Sequence, residues 1–110
     1  MSDLEPIAPH DAVRMYLDAM RDEHAESTRN GEKHRLNSFI QFCDEHEIEN
    51  LNYLTGRDIY HYRTWRREGQ GDGREPIKLV TLKSQLATLR RFLRFGANID
   101  AVPAEMYERV

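Results

Sequence analysis

The sequence predicts an all-α fold, a bundle of four helices. Three observations point to it. Apolar residues recur at helical steps of three and four in four separate segments. No stretch alternates apolar and polar residues as a half-buried strand would. Turn-forming residues part the segments: Asn50 and Asn52 between the second and third, and the run Gly69-Gln70-Gly71-Asp72-Gly73 between the third and fourth. With 110 residues the chain makes one domain, large enough to bury a single core without staples. It is short for an enzyme that must carry both a scaffold and a catalytic cleft.

The first helix follows Pro9, which suits a first turn because its missing N–H has no helical partner there. Val13, Tyr16, Leu17 and Met20 give it one apolar face, Arg14, Asp18, Arg21 and Asp22 take the wet side, and its end is expected near His24. The second helix is expected to start at Ser27 or Thr28, either a good N-cap, and to bury Leu36, Phe39, Ile40 and Cys43. Gly31 weakens its front by about 1 kcal/mol relative to Ala. The third is capped by Thr55 and buries Ile59, Tyr62 and Trp65, while Arg57, Arg63, Arg66 and Arg67 dress the rest. The fourth begins between Pro76 and Thr81. Its leucines at 79, 82, 86, 89 and 93 form a seam against the other helices, and Gly96 is expected to cap its C-terminus. Met106 and Tyr107 allow a short final turn.

A net charge of -3 taken alone argues against a polyanion partner, but the charge is polarised. Residues 1–56 hold 5 Lys+Arg against 12 Asp+Glu, and residues 57–94 hold 10 against 4. An acidic half followed by a basic stretch points to a polyanion, or to an acidic helix pair packed on a basic one.

Catalytic chemistry finds no support. The five histidines (His10, His24, His34, His46, His61) form no zinc-ligand spacing, and the single Cys43 excludes an intramolecular disulfide. Cys43 sits on a core face, where a buried thiol is inert. The glycine run lacks the Gly-Lys-Ser/Thr end of a phosphate-binding loop. No metal or cofactor is expected. There is no signal peptide and no apolar run near the roughly 20 residues of a membrane span, so a cytoplasmic protein without membrane contact is expected.

Binding is better supported. On the fourth helix Lys83, Arg90 and Arg94 are spaced 7 and 4 apart, a single stripe beside the leucine seam. Arg91 and Ser84 lie on the face opposite that seam, and Arg74 and Lys78 precede it. Thr81 and Ser84 offer hydroxyls at a helix start, where free N–H groups and the dipole attract phosphate. Ser27, Thr28 and Arg29, followed by Lys33 and Arg35, make a second such terminus, and the two together would straddle a groove. Caps and solvated surface cations are the plain alternative for each residue. Among the aromatics, Phe42 and Phe95 are expected to be partly exposed.

Taken in order, these segments resemble the N-terminal core-binding, SAM-like domain of tyrosine recombinases, the phage-integrase family. The resemblance rests on Ser27-Thr28 followed by Leu36, Phe39 and Cys43, on Leu54-Thr55 with Asp58-Ile59 and Tyr62, and on Thr81-Leu82 followed by Leu86, Leu89-Arg90, Phe92-Leu93 and Phe95. The final Ile99-Asp100-Ala101-Val102-Pro103 resembles the link into a catalytic domain. The Arg-over-Lys bias, 13 to 3, and Leu54-Thr55-Gly56-Arg57-Asp58 look most like haloarchaeal integrases.

The resemblance implies a non-catalytic four-helix module that clamps one side of duplex DNA during integration and recombination. The missing C-terminal domain, with its two arginines, His-x-x-Arg box and nucleophilic tyrosine, would clamp the other side. Other recombinase protomers on the same DNA are possible partners. Carried over, the DNA contacts are Thr28, Lys33, Thr81, Lys83, Ser84 and Arg90, with Arg29 and Lys78 secondary. Glu32 falls where the family often has an aromatic or other large residue, and would weaken binding if it faced DNA. Residues 1–8 are then a flexible N-terminus, 9–103 the helical domain, and 104–110 the start of a linker. Tyr107 has no catalytic partners. The competing readings are a protein-interaction bundle using Phe42, Phe95 or Tyr107 without DNA, and a helix-turn-helix regulator, which the long, glycine-rich linkers disfavour.

Overall fold

A computed structural model describes residues 3–69 and 76–110. The order is α1 (Pro9–Ala19), α2 (Glu26–Glu45), a 3-10 turn at Leu51–Tyr53, α3 (Gly56–Arg67), α4 (Leu79–Asn98) and a closing 3-10 turn at Met106–Arg109. The fold is all-α, and no strand occurs among the described residues. Most of the expected glycine run, residues 70–73, lies outside the described residues, as does Arg74.

α2 touches α1, α3 and α4, so it is buried on more than one side. Its Phe39 ring meets Tyr62 of α3 edge-on at 5.5 Å and Phe92 of α4 at 6.1 Å. Such edge-to-face pairs stabilise beyond the area they bury. Phe42, expected to be partly exposed, is fully buried because Tyr62 and Trp65 of α3 cover it at 5.3 and 5.5 Å. Leu82, Leu89 and Leu93 are buried as the seam requires, whereas Leu79, at the first turn of α4, is 63% exposed because it overshoots the core.

Helix ends show where side chains and where backbone do the capping. Thr55 caps α3 as expected: its hydroxyl accepts from Asp58 N–H at 3.2 Å, and Asp58 accepts from Thr55 N–H at 2.9 Å. α2 instead starts at Glu26 with Ala25 as N-cap and no side-chain cap, so Ser27 and Thr28 sit inside its first turn rather than ahead of it. α1 stops at Ala19, short of His24, in a turn where His24 N–H bonds to Met20 carbonyl at 3.0 Å.

Both long helices end in the same backbone motif without glycine. Glu47 and Asp100 take left-handed φ values of 57° and 61°. Ile48 N–H then reaches Cys43 carbonyl, and Ala101 N–H reaches Gly96 carbonyl, each at 2.8 Å. Gly96 is therefore not the cap. It lies inside α4, where a Cβ would stand 3.4 Å from Val102 Cγ2, and it lets the returning chain pack closely.

Glu5, Ile7 and the C-terminal turn are tied to the bundle. Glu5 N–H bonds to Asp100 carbonyl at 2.7 Å and Leu51 N–H to Ile7 carbonyl at 2.8 Å. The Asn52 amide bridges the carbonyls of Glu5 and Ala101. The closing turn packs on α4 and buries Met106.

Candidate nucleic-acid interface

α4 carries Lys83, Arg90, Arg91 and Arg94 and no carboxylate along its whole length. Its apolar side is fixed by Leu82, Leu89, Phe92 and Leu93, which leaves these cations on the outer side, all exposed. Lys83, Arg90 and Arg94 come together with Arg63 of α3 and Tyr107 around a groove of about 630 Å³. The Arg90 and Arg94 guanidinium carbons stand 5.9 and 6.0 Å from the Tyr107 ring centre, within cation–π range. No carboxylate among the described residues pairs with Lys83, Arg90 or Arg94. The groove can therefore take an anion without first breaking an ion pair. Tyr107 serves it as an aromatic platform.

Arg91, one residue on from Arg90, turns by about 100° to another neighbourhood. It lines the basic groove and also a second pocket of about 500 Å³ with Thr28, Arg35, Tyr16 and Phe95. At its floor is Glu32, 2% exposed. Tyr16 Oη donates to Glu32 Oε1 at 2.7 Å, and Thr88 Oγ1 donates to Oε2 at 2.8 Å. Arg35 Nη2 donates to Oε2 at 2.9 Å. Arg91 Nε and Nη2 donate to Oε1 and Oε2 at 3.1 and 2.9 Å, a two-pronged pair.

Three helices thus close on one carboxylate. Burial alone would push the Glu32 pKa up, but the hydrogen bonds from Arg91, Tyr16, Arg35 and Thr88 outweigh it and hold it at about 2. Burial, then the bond to Glu32, drives the Tyr16 hydroxyl well above its ordinary range, so it stays protonated and donates. The Glu32 bond raises the Arg91 pKa further. Glu32, expected to weaken binding only if it faced DNA, is instead buried and forms the base of two surface arginines.

The other expected contacts divide. Thr28 is exposed and lines the Arg35–Arg91 pocket. Lys78, Thr81 and Ser84 are exposed along the first turns of α4. Arg29 and Lys33 turn instead toward α1, where they line a groove of about 620 Å³ with Arg14, Leu17, Arg21 and Ile40. The two helix starts thus do not present all their cations to one place. Arg66, expected on the wet side of α3, is 4% exposed and donates from Nε to Gln85 Oε1 at 2.7 Å.

Sequence reasoning missed Glu32 as a partner, counted Arg35 only among the cations following the start of the second helix, and gave Arg91 no contact. A signal existed: Glu32 sits one turn before Leu36, in register with the stripe Leu36, Phe39 and Cys43. A carboxylate in a core register needs buried donors.

Other chemistry is quiet. Burial, with smaller contributions from Asp44 and Asp58, pushes the Cys43 thiol up to about 12, far from reactive. No group of three or more metal-ligating side chains occurs among the described residues, and no helix among them is long and apolar enough to cross a membrane.

Comparison with known proteins adds two findings. The family model of the phage integrase N-terminal SAM-like domain matches residues 13–98. Among solved structures, the N-terminal domain of a phage integrase/site-specific recombinase from Haloarcula marismortui is similar, with a TM-score of 0.86 and 27% sequence identity over 96% of each chain. A search of curated proteins gave no match.

Proposed function

The chain belongs to the family of phage integrase N-terminal SAM-like domains, and on that footing we propose that it is the duplex-DNA-binding, non-catalytic arm of a tyrosine recombinase acting in DNA integration and recombination. One observation carries this reading: the outer side of α4 holds four cations with no carboxylate in the helix, in a chain whose net charge is -3. Negative overall charge repels DNA, so a concentrated positive face is what gives a polyanion a defined place to bind.

The contacts follow from the placement. Lys83 and Arg90, with Arg94, neutralise backbone phosphates along the α4 groove. Thr81, Ser84 and Lys78 meet the backbone at the start of α4, where free N–H groups add to the attraction. Thr28 contributes from the neighbouring pocket, and Arg29 and Lys33 act at longer range from the α1 side. Residues 9–103 form the helical domain, the 104–110 segment adds Tyr107 to its groove, and the chain leads on toward a catalytic domain that clamps the opposite side of the duplex and carries out the chemistry. Other recombinase protomers would share the DNA. A cytoplasmic setting without a cofactor belongs to the same proposal.

The test is the double charge reversal Lys83→Glu/Arg90→Glu, assayed by fluorescence anisotropy on duplex DNA at low salt. Affinity is expected to fall by at least about tenfold, since two phosphate contacts become repulsions. Both side chains are exposed, so thermal unfolding should barely move. A variant that binds DNA as the parent does would overturn the reading.

A further inference from the structure

Resting on that reading, we propose that Glu32 is a positioning residue that holds Arg35 and Arg91 as a paired-guanidinium clamp for one backbone phosphate of the duplex.

Charge is the first support. Two guanidiniums share a single carboxylate, so the group keeps one net positive charge. The Glu32 side chain is 3% exposed, against 32% for Arg35 and 55% for Arg91. The negative charge is sunk in the bundle and the surplus positive charge faces out.

Geometry is the second. Arg91 engages Glu32 through Nε and Nη2, and Arg35 engages Thr88 through Nε and Glu32 through Nη2. The Nη1 group of each makes no hydrogen bond to a described residue. Each arginine therefore has one edge anchored and one nitrogen with donors left for a ligand. Gly31 keeps the space beside Arg35 open: a Cβ there would stand 3.4 Å from Arg35 Nη1.

Location is the third. Both arginines line one pocket of about 500 Å³ with Thr28, in the first turn of α2. A hydroxyl and a helix start beside two guanidiniums suit a phosphate oxyanion. Glu23 and His24 line the same pocket, and with Glu23 counted the formal charges balance; no ion pair among the described residues ties Glu23 to either arginine, so the guanidinium donors remain open to an anion. Arginines fixed before binding also lose less freedom when the ligand arrives.

The experiment measures duplex-DNA affinity by anisotropy for the parent chain, Glu32→Gln, Glu32→Asp, Arg35→Ala/Arg91→Ala and the triple variant Glu32→Gln/Arg35→Ala/Arg91→Ala. The sign decides. Glu32→Gln removes a negative charge, so charge alone makes DNA bind tighter. Positioning makes it bind about tenfold weaker, the loss of one charge-assisted hydrogen bond. Glu32→Asp, which keeps the charge and withdraws the carboxylate by one methylene, should weaken binding in the same direction. The triple variant should bind no more weakly than the double, because Glu32 acts through the two arginines.

Equal or tighter binding by Glu32→Gln, with Lys83→Glu/Arg90→Glu still defective, overturns the clamp and leaves the DNA reading standing. Absence of salt-dependent DNA binding by the parent overturns both. Circular dichroism reports whether Glu32→Gln folds. If it does not, Glu32→Asp decides, and an affinity equal to the parent's overturns the clamp.

Discussion

Arg90 and Arg91 are adjacent in the chain and both border the basic groove, but they are held in different ways. Arg90 leans over Tyr107 with no carboxylate partner, in a groove shared with Lys83, Arg94 and Arg63. Arg91 is fastened by two nitrogens to a carboxylate buried under α1, α2 and α4. The difference separates two ways of presenting positive charge. Unpaired cations over an aromatic ring give general attraction and adapt to the ligand. Cations pinned to a buried acid give a fixed direction, and tie that direction to the integrity of the fold. Removing one of the first kind should cost binding alone. Removing the base of the second should cost both.

The largest expected effect breaks the comparison at its buried end. Glu32→Ala leaves two guanidiniums, the Tyr16 hydroxyl and the Thr88 hydroxyl without their acceptor. Breaking a buried pair in this way costs about 3–5 kcal/mol. Against a typical domain stability of about 5–15 kcal/mol, that moves a urea midpoint far to lower concentration. Arg90→Ala, by contrast, should stay within about 0.5 kcal/mol of the parent. Equal losses from the two substitutions would show that the buried carboxylate is no anchor.

Acid titration sharpens the same contrast. The folded Glu32 pKa of about 2 lies below its ordinary value of 4.5. A depressed carboxylate pKa contributes stability that is complete above the ordinary value and lost as pH falls through the folded one. The gap between parent and Glu32→Gln in urea unfolding should therefore narrow from about pH 4.5 down to about pH 2, by on the order of 3 kcal/mol. A gap that does not change with pH would mean the carboxylate is not held ionised by its partners.

The smallest effect lies beside Arg35. Gly31 is inside α2, and the three atoms nearest to a Cβ there all belong to the Arg35 guanidinium, at 3.4 Å or more. Gly31→Ala should gain stability of about 0.5–1 kcal/mol from helix propensity, read as a raised melting temperature. A lowered melting temperature would show that the pinned guanidinium has no room to yield.

Much of the bundle was legible because apolar spacing marks the core side of each helix. Thr55 with Asp58, the leucines at 82, 89 and 93, and Cys43 all fall where spacing puts them. α2 has three helical neighbours, so a single stripe understates its burial. Phe42 and Glu32 were misjudged for that reason. Gly96 was misread because a glycine near a helix end has two uses, a left-handed cap or a close approach, and Asp100 already supplied the first. At the interface, Lys83, Arg90 and Arg94 needed only the helical angle to be placed together. Arg35 and Arg91 come from residues far apart in sequence, and their meeting depends on the packing of α2 on α4.

The most direct test of the account is the salt dependence of duplex binding by the 110-residue chain. If about five phosphates are neutralised, log affinity should fall linearly with log salt at a slope near -4.5. An affinity that does not change with salt would contradict the assignment of the α4 face to the DNA backbone.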